Sequence, residues 1–299
     1  MRTVLIGARG QLGTALAGVL TGEVVPLMRE ELDLTAGEQV ATVLAAARPD
    51  LVINTAAYNR VDQAEDEPEA ALAVNALGPR QIARWCRGAS VPLVHVSTDY
   101  VFSGRLDGSR RFLPYRESDR PEPLSAYAVS KLAGEQFVRG LCPDHLIVRT
   151  CGLYGRPPQG GKGNFVETML RLGRERRELR VVDDQECTPT AATDLARMIA
   201  ALLAAGARGT FHATNAGSLT WCELARTIFR IAHLDVTVQP ITTAEYGARA
   251  ARPGYSVLST AKLTQATGLR PRPWQEALEE YLGEASARVA NSGPAGLQV

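Results

Sequence analysis

Apolar residues in the first half of the chain fall into short runs that alternate with stretches of helical period. The runs cover residues 3–7, 23–28, 51–55, 92–97 and 145–149. They are short and rich in Val, Leu and Ile, which predicts strands of a parallel sheet covered on both faces. Between them, residues 11–20, 37–47, 68–87 and 126–140 carry the spacing of helices, as in Leu12, Leu16, Val19 and Leu20. Regular alternation of this kind predicts an α/β fold, a Rossmann-type doubly wound parallel sheet. After Thr150 the pattern loosens. A Pro/Gly-rich loop at 155–163 precedes a helix at 165–177, a strand at 179–182, a helix at 193–203 and a last helix at 273–284. This predicts a smaller C-terminal lobe. Residues 1–150, with about 181–205, are assigned to the large domain. Residues 151–180 and about 206–285 are assigned to the lobe, and 286–299, poor in large apolar side chains, to a flexible tail.

The first strand leads directly into Gly7-Ala8-Arg9-Gly10-Gln11-Leu12-Gly13, and a helix follows. In a strand–turn–helix setting, the first glycine permits the tight turn and the second lets backbone approach a pyrophosphate. The third lets helix and strand pack closely, with the helix N-terminus toward the anion. The sequence therefore predicts dinucleotide binding through Gly7, Gly10 and Gly13. A further tract, Arg105–Pro123, is rich in Gly, Pro, Ser and charge and reads as a long functional excursion before the next helix.

Composition narrows the class. The 299 residues are 45% hydrophobic and 22% charged, with a net charge of +1, so neither a nucleic-acid polymer nor an acidic partner is indicated. The five cysteines (Cys86, Cys142, Cys151, Cys187, Cys222) are scattered without CxxC spacing, which speaks against a disulfide framework or zinc site. The first strand begins at residue 3, leaving no room for a signal peptide, and no apolar run nears the roughly 18 residues that span a bilayer. A cytoplasmic protein is expected, with no membrane partner and no metal site. The Arg-rich stretch Arg171–Arg180 has Glu175 and Glu178 at helical spacing, which predicts a solvated helix face rather than a phosphate site.

Tyr127 and Lys131 stand four apart in a predicted helix and so share a face. Thr98 ends the fourth strand, at the sheet edge where open α/β folds bind ligands. A nearby ammonium lowers the pKa of a phenol from its ordinary value near 10. Such a tyrosine can protonate the oxygen of a ketone as a nicotinamide reduces it, with the Thr98 hydroxyl holding that oxygen.

The chain resembles the extended short-chain dehydrogenases/reductases and, more narrowly, the dTDP-4-dehydrorhamnose reductase family. The stretches that carry the resemblance are GARGQLG (7–13), PDLVINTAAYNRVDQAEDEPEAALAVNALGP (49–79), HVSTDYVFSG (95–104), YAVSKLAGE (127–135), VRTCGLYG (148–155), NFVETMLRL (164–172), VVDDQECTPT (181–190) and RPGYSVLST (252–260). They span nearly the whole chain in order. The resemblance implies NADPH-dependent reduction of the 4-keto group of a dTDP-linked deoxysugar, dTDP-4-dehydro-L-rhamnose to dTDP-L-rhamnose, by a monomer or homodimer. It makes Thr98, Tyr127 and Lys131 catalytic. The cofactor would be held by Gly7, Gly10, Gln11, Leu12, Gly13, Asp33, Leu34, Ala56, Ala57, Tyr58, Asn75, Tyr127 and Lys131. The sugar nucleotide would meet Val61, Thr98, Tyr100, Gly152, Asn164 and Arg252.

Several points depart from that pattern or stay open. Relatives carry an aromatic residue where Arg149-Thr150-Cys151 is followed by Gly152, so a wider sugar pocket is expected here. The second strand ends without an acid, and Arg29 follows, which favours the 2′-phosphate of NADPH. Glu30 and Glu31 come next and leave NADH as an alternative. The resemblance includes metal-bridged dimers, which leaves Mg²⁺ open, but no ligand set is evident. Nucleotide-sugar dehydratases place Asp-Glu after the threonine; here Thr98-Asp99 precedes Tyr100, which argues against dehydration. An epimerase, or a non-catalytic NADP-binding subunit, remains as an alternative, and the intact Thr98/Tyr127/Lys131 set favours a reductase.

Overall fold

The computed structural model describes residues 1–106, 109–110, 112–156 and 163–291. Six parallel strands form the central sheet: Arg2–Ile6, Glu23–Leu27, Leu51–Asn54, Leu93–Thr98, His145–Thr150 and Gly209–His212. Numbered in chain order, they lie in the order 2-1-3-4-5-6. Val4, Leu5, Val52, Ile53 and Ile147 are fully buried, as strands covered on both faces require. Helices Gln11–Ala17 and Ala192–Ala204 cover one face through a core that includes Leu12, Leu16, Leu195 and Ile199. Helices Gly37–Ala47, Gly78–Ala89 and Ala126–Leu141 cover the other through Val40, Leu44, Ile82 and Val138.

The smaller lobe has its own core, with Val166, Met169, Leu224, Ile228, Phe229, Trp274 and Leu278. Two strand pairs frame it: Glu178–Val182 beside Thr237–Ile241, parallel, and Glu186–Cys187 beside Leu219–Thr220, antiparallel. The partition expected near residues 181 and 206 shifts accordingly. The stretch 181–191 pairs within the lobe, while Gly209–His212 is the sixth strand of the large sheet, in register with the fifth. Its four residues are too short a run for pattern alone to assign. A fourth cluster joins the excursion to the lobe: Phe102 stacks on Tyr115 at 4.1 Å, beside Tyr255 and Val257.

Two helices differ from expectation. The one expected at 68–87 is interrupted by a π-helical turn, Ala73–Leu77, before it resumes at Gly78. Pro79 supplies the reason: it has no N–H for the carbonyl of Asn75 and its ring crowds that carbonyl. The freed Asn75 carbonyl then approaches the helix Ala126–Leu141 so closely that a β-carbon on Gly134 would stand 2.1 Å from it. The last helix runs Trp274–Asn291, so residues 286–291, expected in a flexible tail, are helical, and 292–299 lie outside the described residues. The Arg-rich stretch is a solvated surface, with Arg171 paired to Glu175 one turn on. Among the described residues no helix is long and apolar enough to cross a membrane.

Candidate active site

The strand order reverses between the first and third strands, and there the carboxyl ends of the sheet open into a cleft of about 900 Å³. Gly7, Gly10, Gln11, Leu12, Gly13, Arg29, Asp33, Leu34, Ala56, Ala57, Tyr58, Thr98, Tyr127 and Lys131 all line it.

The glycine turn is built by exclusion. Gly7 has a φ of +81°, which favours glycine. A β-carbon on Gly13 would lie 2.4 Å from the Gly7 carbonyl oxygen and 2.7 Å from Ala8 Cα. Thr55 donates its hydroxyl to the Ile6 carbonyl at 2.9 Å and ties the turn to the third strand. No side chain caps the helix that starts at Gln11. A backbone cradle free of side chains at a helix start fits a pyrophosphate. Gly13→Ala is therefore expected to destabilise the fold by about 1–3 kcal/mol, read by denaturant unfolding. At Gly10 a β-carbon meets only the Gly7 oxygen, at 3.2 Å. Gly10→Val is expected to fold and to lose at least about tenfold in NADPH affinity, read by fluorescence titration. Unchanged affinity in the folded variant contradicts the assignment.

Farther along the cleft, Arg29 takes part in none of the ion pairs among the described residues. The acids that follow it are engaged elsewhere: Glu31 accepts from the Met28 amide at 2.8 Å, and Glu30 faces Arg9 at 3.5 Å. Asp33 accepts from the Thr35 amide at 2.9 Å and the Thr35 hydroxyl at 2.7 Å. These bonds, aided by the charge of Arg29, hold its carboxyl below the ordinary aspartate value. Asp33 thus clamps a turn while facing the cleft.

At the other end lies the hydroxyl group set. Ser125 caps the helix Ala126–Leu141, accepting from the Ala128 amide at 3.3 Å, and so fixes the first turn that carries Tyr127. Lys131, buried one turn on, donates to the Val96 carbonyl at 2.7 Å. Thr98 donates to Asp99 Oδ1 at 3.0 Å and accepts from the Tyr100 amide at 3.2 Å. Burial pushes the Tyr127 phenol up to about 12, against a downward pull from the Thr98 hydroxyl. The lowering expected from the Lys131 ammonium is not seen: burial dominates, and the charge of Asp99 adds to it. The phenol is accordingly protonated at neutral pH, the form that donates. Burial also brings Lys131 down to about 8, with Glu135 opposing.

Six expected residues stand outside the cleft wall. Asn75 is buried behind it: its side chain accepts from the Tyr58 amide at 2.9 Å and donates to the Tyr58 carbonyl at 2.9 Å and to Ser130 at 3.0 Å. It positions the Tyr58 loop against the helix of Tyr127. Tyr100 packs edge-on against Tyr127, with ring centroids 6.1 Å apart. Asn164 is committed to structure, capping its helix through the Glu167 amide and donating to Gly155 and Gln11. Arg252 forms a two-pronged ion pair with Asp62, at 3.0 and 2.8 Å, which ties the lobe to the loop after the third strand. Val61 lies in that same loop, half-buried. Gly152, expected to widen the pocket, stands outside its wall. Its φ is +52°, and a β-carbon there would point at the backbone, 3.0 Å from Pro189 Cα and 3.1 Å from the Thr188 oxygen. The residue answers a backbone need, and the cleft is walled at this point by Cys151 and Leu153.

Sequence reasoning passed over two features. Cys151 donates its thiol to Asp99 Oδ2 at 2.9 Å, so Asp99 links the end of the fifth strand to Thr98. Glu135 and Arg149 form a fully buried ion pair with contacts of 2.8 and 2.6 Å beneath the helix of Lys131. Glu135 lies one helical turn past Lys131, and that spacing was the available signal. Among the described residues no cluster of His, Cys, Asp and Glu is placed to hold a metal ion.

Comparison with known proteins extends this geometry over the chain. Residues 1–287 match the RmlD substrate binding domain family. A dTDP-4-keto-6-deoxy-D-glucose reductase from Streptomyces niveus is 43% identical, covering 93% of this chain and 96% of that protein. A dTDP-4-dehydrorhamnose reductase from Streptomyces griseus is 41% identical over 98% of this chain and 97% of its own length. The crystal structure of dTDP-4-dehydrorhamnose reductase from Bacillus anthracis in complex with NADP is 41% identical and superposes with a TM-score of 0.88, covering 95% of this chain and 99% of that one. Glycine turn, strand-edge threonine, Tyr/Lys helix and full-length similarity agree: the chain belongs to the RmlD substrate binding domain family of extended short-chain dehydrogenases/reductases.

Proposed function

We propose that this protein is an NADPH-dependent reductase of the 4-keto group of a dTDP-linked deoxysugar, with dTDP-4-dehydro-L-rhamnose as substrate and dTDP-L-rhamnose as product. The observation that carries the reading is the placement of Tyr127, Lys131 and Thr98 in one cleft with the glycine turn. The named relatives support it, as dTDP-4-keto-sugar reductases of the same length. Gly7, Gly10, Gln11, Leu12 and Gly13 would hold the pyrophosphate, Arg29 the 2′-phosphate, and Asp33, Leu34, Ala56, Ala57 and Tyr58 the adenosine side. When bound, the reduced nicotinamide supplies a hydride to the ketone carbon. Tyr127 gives its phenolic proton to the ketone oxygen, and Thr98 fixes that oxygen. Lys131, charged below about 8, stabilises the phenolate left behind. One NADPH consumed per dTDP-L-rhamnose formed, in a coupled absorbance and chromatography assay, tests the reading. Epimerised sugar with no NADPH consumed overturns it.

Two further outcomes follow. The ammonium of Lys131 is present below its pKa and lost above it, so kcat is expected to fall about tenfold per pH unit beyond about 8. A profile flat to pH 10 contradicts this. Arg29→Ala is expected to raise KM for NADPH by about tenfold or more while leaving KM for NADH nearly unchanged. Equal changes in the two cofactors remove Arg29 from the 2′-phosphate.

A further inference from the structure

Thr98 has a single hydroxyl proton. In the structure that hydroxyl stands 3.0 Å from Asp99 Oδ1, to which it donates when the carboxyl is ionised. A threonine whose proton is held by a neighbouring carboxylate offers only lone pairs to anything else, and a ketone oxygen needs a donor. The role proposed for Thr98 therefore depends on what Asp99 does.

Asp99 is 2% exposed and takes part in none of the ion pairs among the described residues. Its partners are neutral and come from three segments: the Thr98 hydroxyl, the Cys151 thiol at 2.9 Å on Oδ2, and the Ser256 hydroxyl from the lobe. Cys151 and Ser256 are themselves 3.9 Å apart. Charge interactions link this carboxyl to Tyr100, Tyr127 and Cys151, and Arg252 acts on Tyr100. A carboxylate buried among neutral donors, without a cation, is costly, and the neutral acid is favoured instead. Burial raises its pKa accordingly, the three hydrogen bonds opposing.

Resting on the reductase reading, we infer that Asp99 is a positioning residue for Thr98, whose buried carboxyl decides where the threonine proton points. With Asp99 ionised, Thr98 donates to it. With Asp99 protonated, the acid O–H donates to the Thr98 oxygen, and the Thr98 hydroxyl turns its proton to the ketone oxygen. No proton is consumed at Asp99: the phenol of Tyr127 still supplies the one that ends on the product oxygen. Cys151 sets the balance, because its thiol donates to the ionised form and stabilises it.

The test separates this arrangement from the reductase reading. Infrared titration of the substrate-free protein labelled with [4-¹³C]aspartate follows the buried carboxyl directly, its band identified by loss in Asp99→Asn. The acid band is expected to persist above the ordinary aspartate value of about 3.9. Cys151→Ala moves its midpoint to higher pH, and Cys151→Ser, which keeps a donor, holds it near that of the natural chain. Where Asp99→Asn does not fold, Asp99→Glu, which removes the labelled carboxyl and keeps an acid, identifies the band. An Asp99 that ionises at or below the ordinary value, or a midpoint indifferent to Cys151→Ala, overturns the inference. In turnover, kcat of the natural protein rises as pH falls from about 7 toward that midpoint. The amide of Asp99→Asn is a permanent donor to Thr98, so its kcat is flat over this range, with the Lys131 limb near 8 retained. A pH profile in Asp99→Asn identical to that of the natural chain also overturns it. Failure of every keto sugar to turn over defeats the reductase reading, while the infrared titration still decides the state of Asp99.

Discussion

Tyr127→Phe is expected to cut kcat by about 10²–10⁴-fold and to leave NADPH affinity within about twofold. The substitution keeps the ring, its edge-on contact with Tyr100 and the helix turn capped by Ser125, and removes only the hydroxyl. Because burial holds the phenol protonated at neutral pH, with a pKa of about 12, the hydroxyl is a proton store beside Thr98. Its loss leaves the ketone oxygen without an acid while the glycine cradle is untouched. Single-turnover rates and cofactor titrations on the same preparation separate the two effects. A Tyr127→Phe protein that turns over at the full rate refutes the assignment of the proton donor.

Glu135→Ala is expected to cost about 3–5 kcal/mol in equilibrium unfolding, the largest stability effect of any single site considered. Arg149 is 1% exposed and Glu135 fully buried, and the guanidinium also lies 5.1 Å from the Phe102 ring centroid. Removing the carboxylate strands a buried cation that has no route to water. Replacing both partners with Met recovers most of the loss, since two apolar side chains need no counter-charge. The same carboxylate raises the pKa of Lys131, so Glu135→Gln moves the alkaline limb of kcat to lower pH. Single substitutions that cost less than about 1 kcal/mol, the level of an exposed pair, contradict the account.

The sheet and the cofactor half of the cleft were legible because their signals are local. Leu12 and Leu16 mark a helix face within one turn, and Gly7, Gly10 and Gly13 report backbone approaches made within seven residues. Tyr127 and Lys131 share a face by helical geometry alone. What escaped depends on partners far apart in sequence. Arg149 and Glu135 meet only once the helix packs on the fifth strand, and Arg252 meets Asp62 across 190 residues. Gly152 read as a vacancy left by a missing indole, whereas its left-handed backbone and the nearby Thr188–Pro189 chain explain it. The lowering expected for Tyr127 failed for a similar reason, since proximity of a charge was visible in the spacing and depth of burial was not.

The central claim is tested most directly by turnover of dTDP-4-dehydro-L-rhamnose with NADPH deuterated at the transferable position of the nicotinamide ring. The account predicts one deuterium at C4 of the product sugar, seen by NMR, with one NADPH oxidised per sugar reduced. Bound NADPH that is never oxidised, or a sugar product without deuterium at C4, would contradict it.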